Sequence, residues 1–146
     1  MGLAGDRMGK ISLQDVAAEF ESMDSETRIF YNNETGEFAH KGPYYPDPDW
    51  DFDDPAWIAA PSPHEIREYD IMVDFVETVG NRRKQELLGA ALDGNGPFRA
   101  FKDTLWRVDL REEWFAFKHM AYVEIARKWC DRHGIEYTEE PGGDVG

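Results

Sequence analysis

Cysteine is nearly absent, with Cys130 the single example. That excludes an intrachain disulfide framework and a cysteine-rich zinc module. Positive charge is scarce as well: 16 Lys+Arg stand against 30 Asp+Glu, a net charge of −14. A chain this acidic repels phosphates, so nucleic acid is disfavoured as a partner. No apolar run approaches the roughly 20 residues that a membrane-spanning helix needs. Arg7 and Lys10 are followed by no apolar stretch, and Asp6 stands where a myristoylation signal starting at Gly2 takes Ser or Thr. The expected setting is therefore a reduced cytoplasm, away from the membrane. Chemical motifs are missing too. There is no Gly-x-Ser-x-Gly elbow, no glycine-rich phosphate loop between a strand and a helix, and no internal repeat.

What the chain does have is apolar and aromatic content. Hydrophobic residues are 41% and aromatics 14% of its 146 residues, too much for a disordered polyanion. A chain this long buries roughly 68–70% of its unfolded surface and folds without staples. The expected fold class is α+β: a mostly helical single domain over 11–137, with flexible tails at 1–10 and 138–146.

The elements follow from pattern. Ser12 with Asp15 suits a capping box, Ile11 and Val16 suit a hydrophobic staple, and Leu13, Val16, Phe20 and Met23 recur at helical spacing. This predicts a helix over about 13–23. Thr27 to Tyr31 is β-branched and aromatic, and Asn33-Glu34-Thr35-Gly36 is a turn before Glu37 to His40, which predicts a β-hairpin. A lone hairpin is marginal in water, so a short third strand near Ile135-Glu136-Tyr137 is expected to pair with it.

Residues 42–63 hold six prolines, five aspartates and the rings of Tyr44, Tyr45, Trp50, Phe52 and Trp57. Proline at that density forbids a continuous helix or a central strand. The rings argue against a free linker, so 42–61 is expected to be an extended acidic segment draped over the domain.

Helical signals resume with Ser62 as cap, Pro63 at the first helical position and Glu65 three after the cap. One helix is expected from there to Gly80, with Ile66, Tyr69, Val73 and Val76 on one stripe and Met72, Phe75 and Val79 beside it. A second helix over about 82–92 turns Leu87, Leu88, Ala91 and Leu92 inward, and Asp93-Gly94-Asn95-Gly96 breaks it. Pro97 opens a third, with Phe98, Phe101 and Leu105 on one face. Asp109 with Glu112 makes another capping box, and a long last helix over about 110–133 is roughly 36 Å. Leu110, Trp114, Phe117, Ala121 and Ile125 form its stripe, with Tyr122, Ala126, Trp129 and Cys130 alongside. His133 and Gly134 end it. The hairpin thus packs on four or five helices.

The strings that resemble chemistry have plainer readings. His64-Glu65-Ile66-Arg67-Glu68 is close to the helical zinc-protease pattern, but Glu68 replaces the second histidine. His64 and Glu68 at i, i+4 make two ligands, which is not a site; the string reads as a capped helix start. Residues 47–54 alternate carboxylates as a calcium loop does. Phe52 and Ile58, however, stand where an EF-hand takes Gly and Glu. Cys130 lies on an apolar helix face, where a structural thiol is the rule. No residue is assigned a catalytic, cofactor-binding or metal role. Arg82-Arg83-Lys84 is a solvated helix start in this reading.

Three strings carry a family resemblance: Met72-Val73-Asp74-Phe75-Val76-Glu77-Thr78, Gly96-Pro97-Phe98-Arg99-Ala100-Phe101-Lys102-Asp103, and Trp114-Phe115-Ala116-Phe117-Lys118. Together with the Asn33-Glu34-Thr35-Gly36-Glu37 turn, they resemble the bacterial uncharacterised protein family 0158 over about residues 11–137. The resemblance implies a bacterial cytoplasmic protein and carries over no catalytic residue.

The first functional reading is a non-catalytic protein-interaction or regulatory domain whose partner is another protein. Its expected face is Phe98, Arg99, Phe101, Lys102 and Trp114, although the three rings also suit a plain core. The alternatives are an acidic nucleic-acid mimic that blocks a DNA-binding protein, and a small ligand- or metal-binding enzyme. Charge is unevenly spread. Residues 1–66 carry 4 Lys+Arg and 14 Asp+Glu, whereas 81–132 carry 11 and 8. An acidic, proline-stiffened front therefore precedes a mildly basic helical back.

Overall fold

The computed structural model describes residues 10–24, 26–43 and 53–139, with His64 described by its backbone alone. Tyr44, Tyr45, Asp47, Asp49, Trp50, Asp51, Phe52 and most of the two expected tails lie outside the described residues, as does the side chain of His64. The fold class is α+β and mostly helical, as the sequence pattern implies. The chain divides into two compact units, residues 1–66 with 122–146, and residues 67–121.

The first unit starts with strand β1 (Ile11–Ser12), which runs directly into helix α1 (Leu13–Glu21). The Ser12 hydroxyl accepts from the Gln14 and Asp15 backbone N–H groups, as a serine cap should. The helix stops two residues earlier than its apolar stripe suggests. Ser22 donates its hydroxyl to the Glu19 carbonyl at 2.7 Å, and this local bond competes with the next helical turn. The hairpin forms as expected from β2 (Arg28–Asn32) and β3 (Phe38–Lys41), antiparallel, with Ile29 opposite His40 and Tyr31 opposite Phe38. Asn32 Oδ1 accepts from the Glu34 and Thr35 N–H groups, and Gly36 supplies the positive φ of 78°. Gly42 is needed for closeness, because a Cβ there would meet the Glu26 carbonyl at 2.9 Å.

The third strand of this sheet is not the expected one. It is β4 (Trp57–Ala59), drawn from the proline-rich segment and antiparallel to β2, giving the order β3-β2-β4. β4 is an edge strand in a gap between Pro55 and Pro61, so no proline has to donate to the ladder. The stretch near Tyr137 forms β5 (Tyr137–Thr138), which pairs in parallel with β1 instead, Ile11 opposite Tyr137.

Trp129 ties this unit together. It lies on the second half of the last helix, α6 (Arg111–His133). Its ring meets Phe20 edge-on at 5.3 Å and Tyr31 at 5.9 Å, and its Nε1–H donates to the Ala59 carbonyl at 2.9 Å. One side chain thus touches α1 and β2 and hydrogen-bonds β4. α6 ends as expected, with Gly134 at φ 67° and the Ile135 N–H donating back to the Cys130 carbonyl at 2.9 Å.

The expected helix from Ser62 is interrupted. Its capping box is present, with the Ser62 N–H donating to Glu65 Oε1 at 2.7 Å and the Glu65 N–H donating to Ser62 Oγ at 3.3 Å. The Ser62 backbone donor holds the Glu65 carboxyl below its ordinary value. But α2 (Pro63–Ile66) is a single turn, ended by Arg67 in the left-handed region at φ 58°.

The second unit begins there, with α3 (Glu68–Thr78), α4 (Arg82–Asp93), α5 (Pro97–Val108) and the first half of α6. The break changes which face of α3 is buried: Ile71, Met72 and Phe75 form its core side, while Tyr69 is partly exposed and donates its hydroxyl to the Leu92 carbonyl. Phe75 meets Trp114 at 5.5 Å and Phe117 at 5.4 Å, and Phe101 meets Trp114 at 5.1 Å. These edge-on contacts are a favourable geometry for rings. Leu88 and Leu92 point inward on α4, but Leu87 does not, contrary to expectation. Asn81 caps α4 through the Lys84 N–H.

Asp109 has a different role from the one expected. It sits in the left-handed region at φ 61° and closes α5, and the Leu110 N–H donates to the Leu105 carbonyl at 3.0 Å. This is the six-to-one bond of a helix C-terminal motif. The first bond of α6 goes to Leu110, whose carbonyl accepts from the Trp114 N–H.

Arg67 offers a clean test. A left-handed conformation costs a side-chain-bearing residue roughly 1–2 kcal/mol, against about 0.5–1 kcal/mol of extra chain entropy for glycine. In urea titrations, Arg67→Gly is expected to leave the unfolding free energy unchanged or raise it, while Arg67→Val lowers it by about 1 kcal/mol or more.

Candidate functional site

The surface of the second unit carries a groove between α5 and the first half of α6, with a volume of about 220 Å³. From α5 come Lys102, Leu105 and Trp106; from α6 come Arg111, Trp114, Phe115 and Lys118. Lys102 and Trp106 are four apart and share one face of α5. Arg111, Phe115 and Lys118 are spaced four and three and make a stripe on α6. The left-handed turn at Asp109 brings the two faces together, and the Arg111 guanidinium carbon lies 3.5 Å from the centre of the Trp106 ring. Such stacking holds the cation against the ring face.

Burial separates the lining into floor and rim. Trp114 is 1% exposed and Leu105 2%, while Trp106 is 64% and Phe115 56% exposed. Two open rings lining one groove make an apolar patch, and such patches rimmed by polar residues mark interaction surfaces. Lys118 Nζ lies 3.7 Å from Glu68 Oε2 on α3, with both side chains about a quarter exposed. Among the described residues, neither Lys102 nor Arg111 has a carboxylate within ion-pair distance.

A second, more open depression of about 330 Å³ lies between α4 and α5, lined by Leu87, Ala90, Ala91, Ala100, Thr104, Arg107 and Val108. It is apolar and made of small side chains, with Arg107 as its one charge.

The five residues expected at a partner face are divided by the structure. Lys102 and Trp114 line the groove. Phe101 is fully buried beneath it, against Phe75 and Trp114. Phe98 is 49% exposed and Arg99 is exposed, but neither lines the groove. Trp106, Arg111, Phe115 and Lys118 line the groove but were not among the residues expected at a partner face. The signal was phase: Trp106 falls on the polar side of α5, off the Phe101 and Leu105 stripe, and Phe115 is off the Trp114 stripe in the same way.

Other chemistry-bearing groups sit apart from the groove. In the first unit, His40 Nε2 lies 3.0 Å from Glu19 Oε1. Among the described residues, no group of three or more His, Cys, Asp or Glu is placed to hold a metal ion. Cys130 is fully buried, and burial pushes its thiol up to about 12. At neutral pH it is protonated and shielded, so it lacks the thiolate that nucleophilic chemistry uses.

In comparisons with protein-family models, with curated proteins and with solved structures, no match to the chain is found. Among the described residues no helix is long and apolar enough to cross a membrane.

The thiol gives a direct check on the packing of the first unit. Cys130 is expected to resist a colourimetric disulfide reagent at neutral pH in the native protein and to react fully in denaturant. Prompt native-state labelling would contradict the burial described.

Proposed function

We propose that this chain is a non-catalytic protein-interaction domain of a bacterial cytoplasm, and that the α5–α6 groove is its docking face. The kinship with the bacterial uncharacterised protein family 0158, drawn from its residue strings, belongs to the same proposal. The observation that carries the reading is the exposure of Trp106 and Phe115 on the two sides of a groove floored by the buried Trp114. Tryptophan and arginine are the residue types that dominate binding energy at protein interfaces. Here both are present, already in contact, on rigid helices.

Size supports the same reading. Small-molecule and cofactor sites run from about 300 to 1,000 Å³, and this groove is smaller, about 220 Å³. At roughly 30 Å³ of liquid per water, it displaces a handful of waters, enough for one large side chain. A cavity of that size accepts one anchor residue from a protein partner.

The test is affinity measurement with the partner captured from the native cell. Trp106→Ala combined with Phe115→Ala is expected to weaken binding about tenfold or more, with an unchanged circular dichroism spectrum because both rings are mostly exposed. Leu87→Ala, in the second depression, is the control and leaves binding intact. Equal affinity for the double variant and the native chain would refute the docking face.

A further inference from the structure

We infer that the occupant of the α5–α6 groove is an acidic segment of a partner protein, which seats one aromatic side chain against Trp114 with its carboxylates on Lys102 and Arg111. This deepens the docking reading above and rests on it. The groove is cationic in a chain whose overall sign is opposite, so it complements an acidic occupant. Asp and Glu outnumber Lys and Arg by 30 to 16, yet the charged residues lining the groove are Lys102, Arg111 and Lys118, with no carboxylate among them. Asp103, Glu112 and Glu113 lie on the same two helices, and none of them lines it.

The cations also differ in what already engages them. Lys118 shares Glu68 at 3.7 Å. Lys102 and Arg111 have no such carboxylate among the described residues, and Arg111 is held flat on Trp106. A stacked guanidinium keeps its N–H fork available at its edges for a carboxylate, which it recognises through paired hydrogen bonds. The rings beside these cations ask for an aromatic anchor, since ring edges and faces pair favourably.

A polynucleotide would also bring negative charge and rings, but it suits this chain less well. Its phosphates continue at fixed spacing past any three-cation site, and the remainder of the strand then meets a protein of net charge −14. A peptide places its few carboxylates only where the cations are.

The experiment is fluorescence polarisation with the full-length chain and dye-labelled synthetic probes. The first probe is a short peptide of aspartate and glutamate with one central phenylalanine. The second replaces every acid by its amide, and the third replaces the phenylalanine by alanine. The fourth is a single-stranded oligothymidylate. The acidic phenylalanine peptide is expected to bind saturably, with both peptide analogues weaker by about tenfold. Raising salt from about 50 to about 300 mM is expected to weaken it further. Lys102→Gln with Arg111→Gln should reduce binding of the acidic peptide and leave the amide analogue unchanged, which separates charge from folding.

Equal binding of the acidic and amide peptides would overturn the inference, as would tighter binding of the oligonucleotide. Self-association that disappears in the Lys102→Gln, Arg111→Gln variant would overturn it in favour of a second copy. If no peptide binds while Trp106→Ala with Phe115→Ala still abolishes capture of the native partner, the acidic chemistry is wrong and the docking face stands. If that variant leaves native capture unchanged, the docking face itself is wrong.

Discussion

The burial of Trp114 against Phe75 and Phe101 is the contact on which the second unit depends. Three helices contribute one ring each, and the ring centres lie within 6.4 Å of one another. Once Trp114 is fixed inward, the helical repeat places the rest of its neighbourhood. Phe115, one residue on, is turned about 100° away and comes to the rim. Lys118, one turn on, stays on the Trp114 side, where it reaches the groove and Glu68. The groove is therefore a by-product of the core: its floor is the outer edge of the same ring cluster that holds the helices.

Trp129 has the corresponding place in the first unit, with an added polar tie. Its indole N–H on the Ala59 carbonyl adds a side-chain tie to an edge strand that is also laddered to β2 and flanked by the backbone bonds of Asn33 with Ala56 and of Ala60 with Ile29. A two-stranded hairpin alone is marginal in water, and a third strand packed on a helix stabilises it. Ladder, flanking backbone bonds and indole together hold an acidic, proline-punctuated segment as the third strand of a small sheet.

Much of the architecture was legible because it rests on local chemistry. The Ser12 and Ser62 caps, the Gly36 turn, the Pro97 start and the Gly134 stop all stand where residue type and spacing put them. Three features were not legible. Arg67 and Asp109 adopt left-handed conformations, which arginine type does not announce and which aspartate tolerates without requiring, and each ends a helix that periodicity alone would misplace. The partner of the hairpin was misread because strand pairing is non-local: β4 and the Tyr137 stretch are both short, and only tertiary packing separates them. For the groove, Lys102 and Trp114 were named from the sequence, while Trp106 and Phe115 were missed. An apolar stripe marks what is buried, and a docking surface is by construction the apolar part that lies off the stripe.

Five indoles make docking in the α5–α6 groove directly measurable, because each gives its own N–H resonance in a nitrogen–proton correlation spectrum. The acidic phenylalanine peptide is titrated into the labelled chain. The Trp106 and Trp114 indole signals are expected to move with the same saturation curve, while that of Trp129, hydrogen-bonded to Ala59 in the other unit, stays in place. A binding curve in which Trp129 shifts and Trp106 and Trp114 remain fixed would contradict docking in that groove.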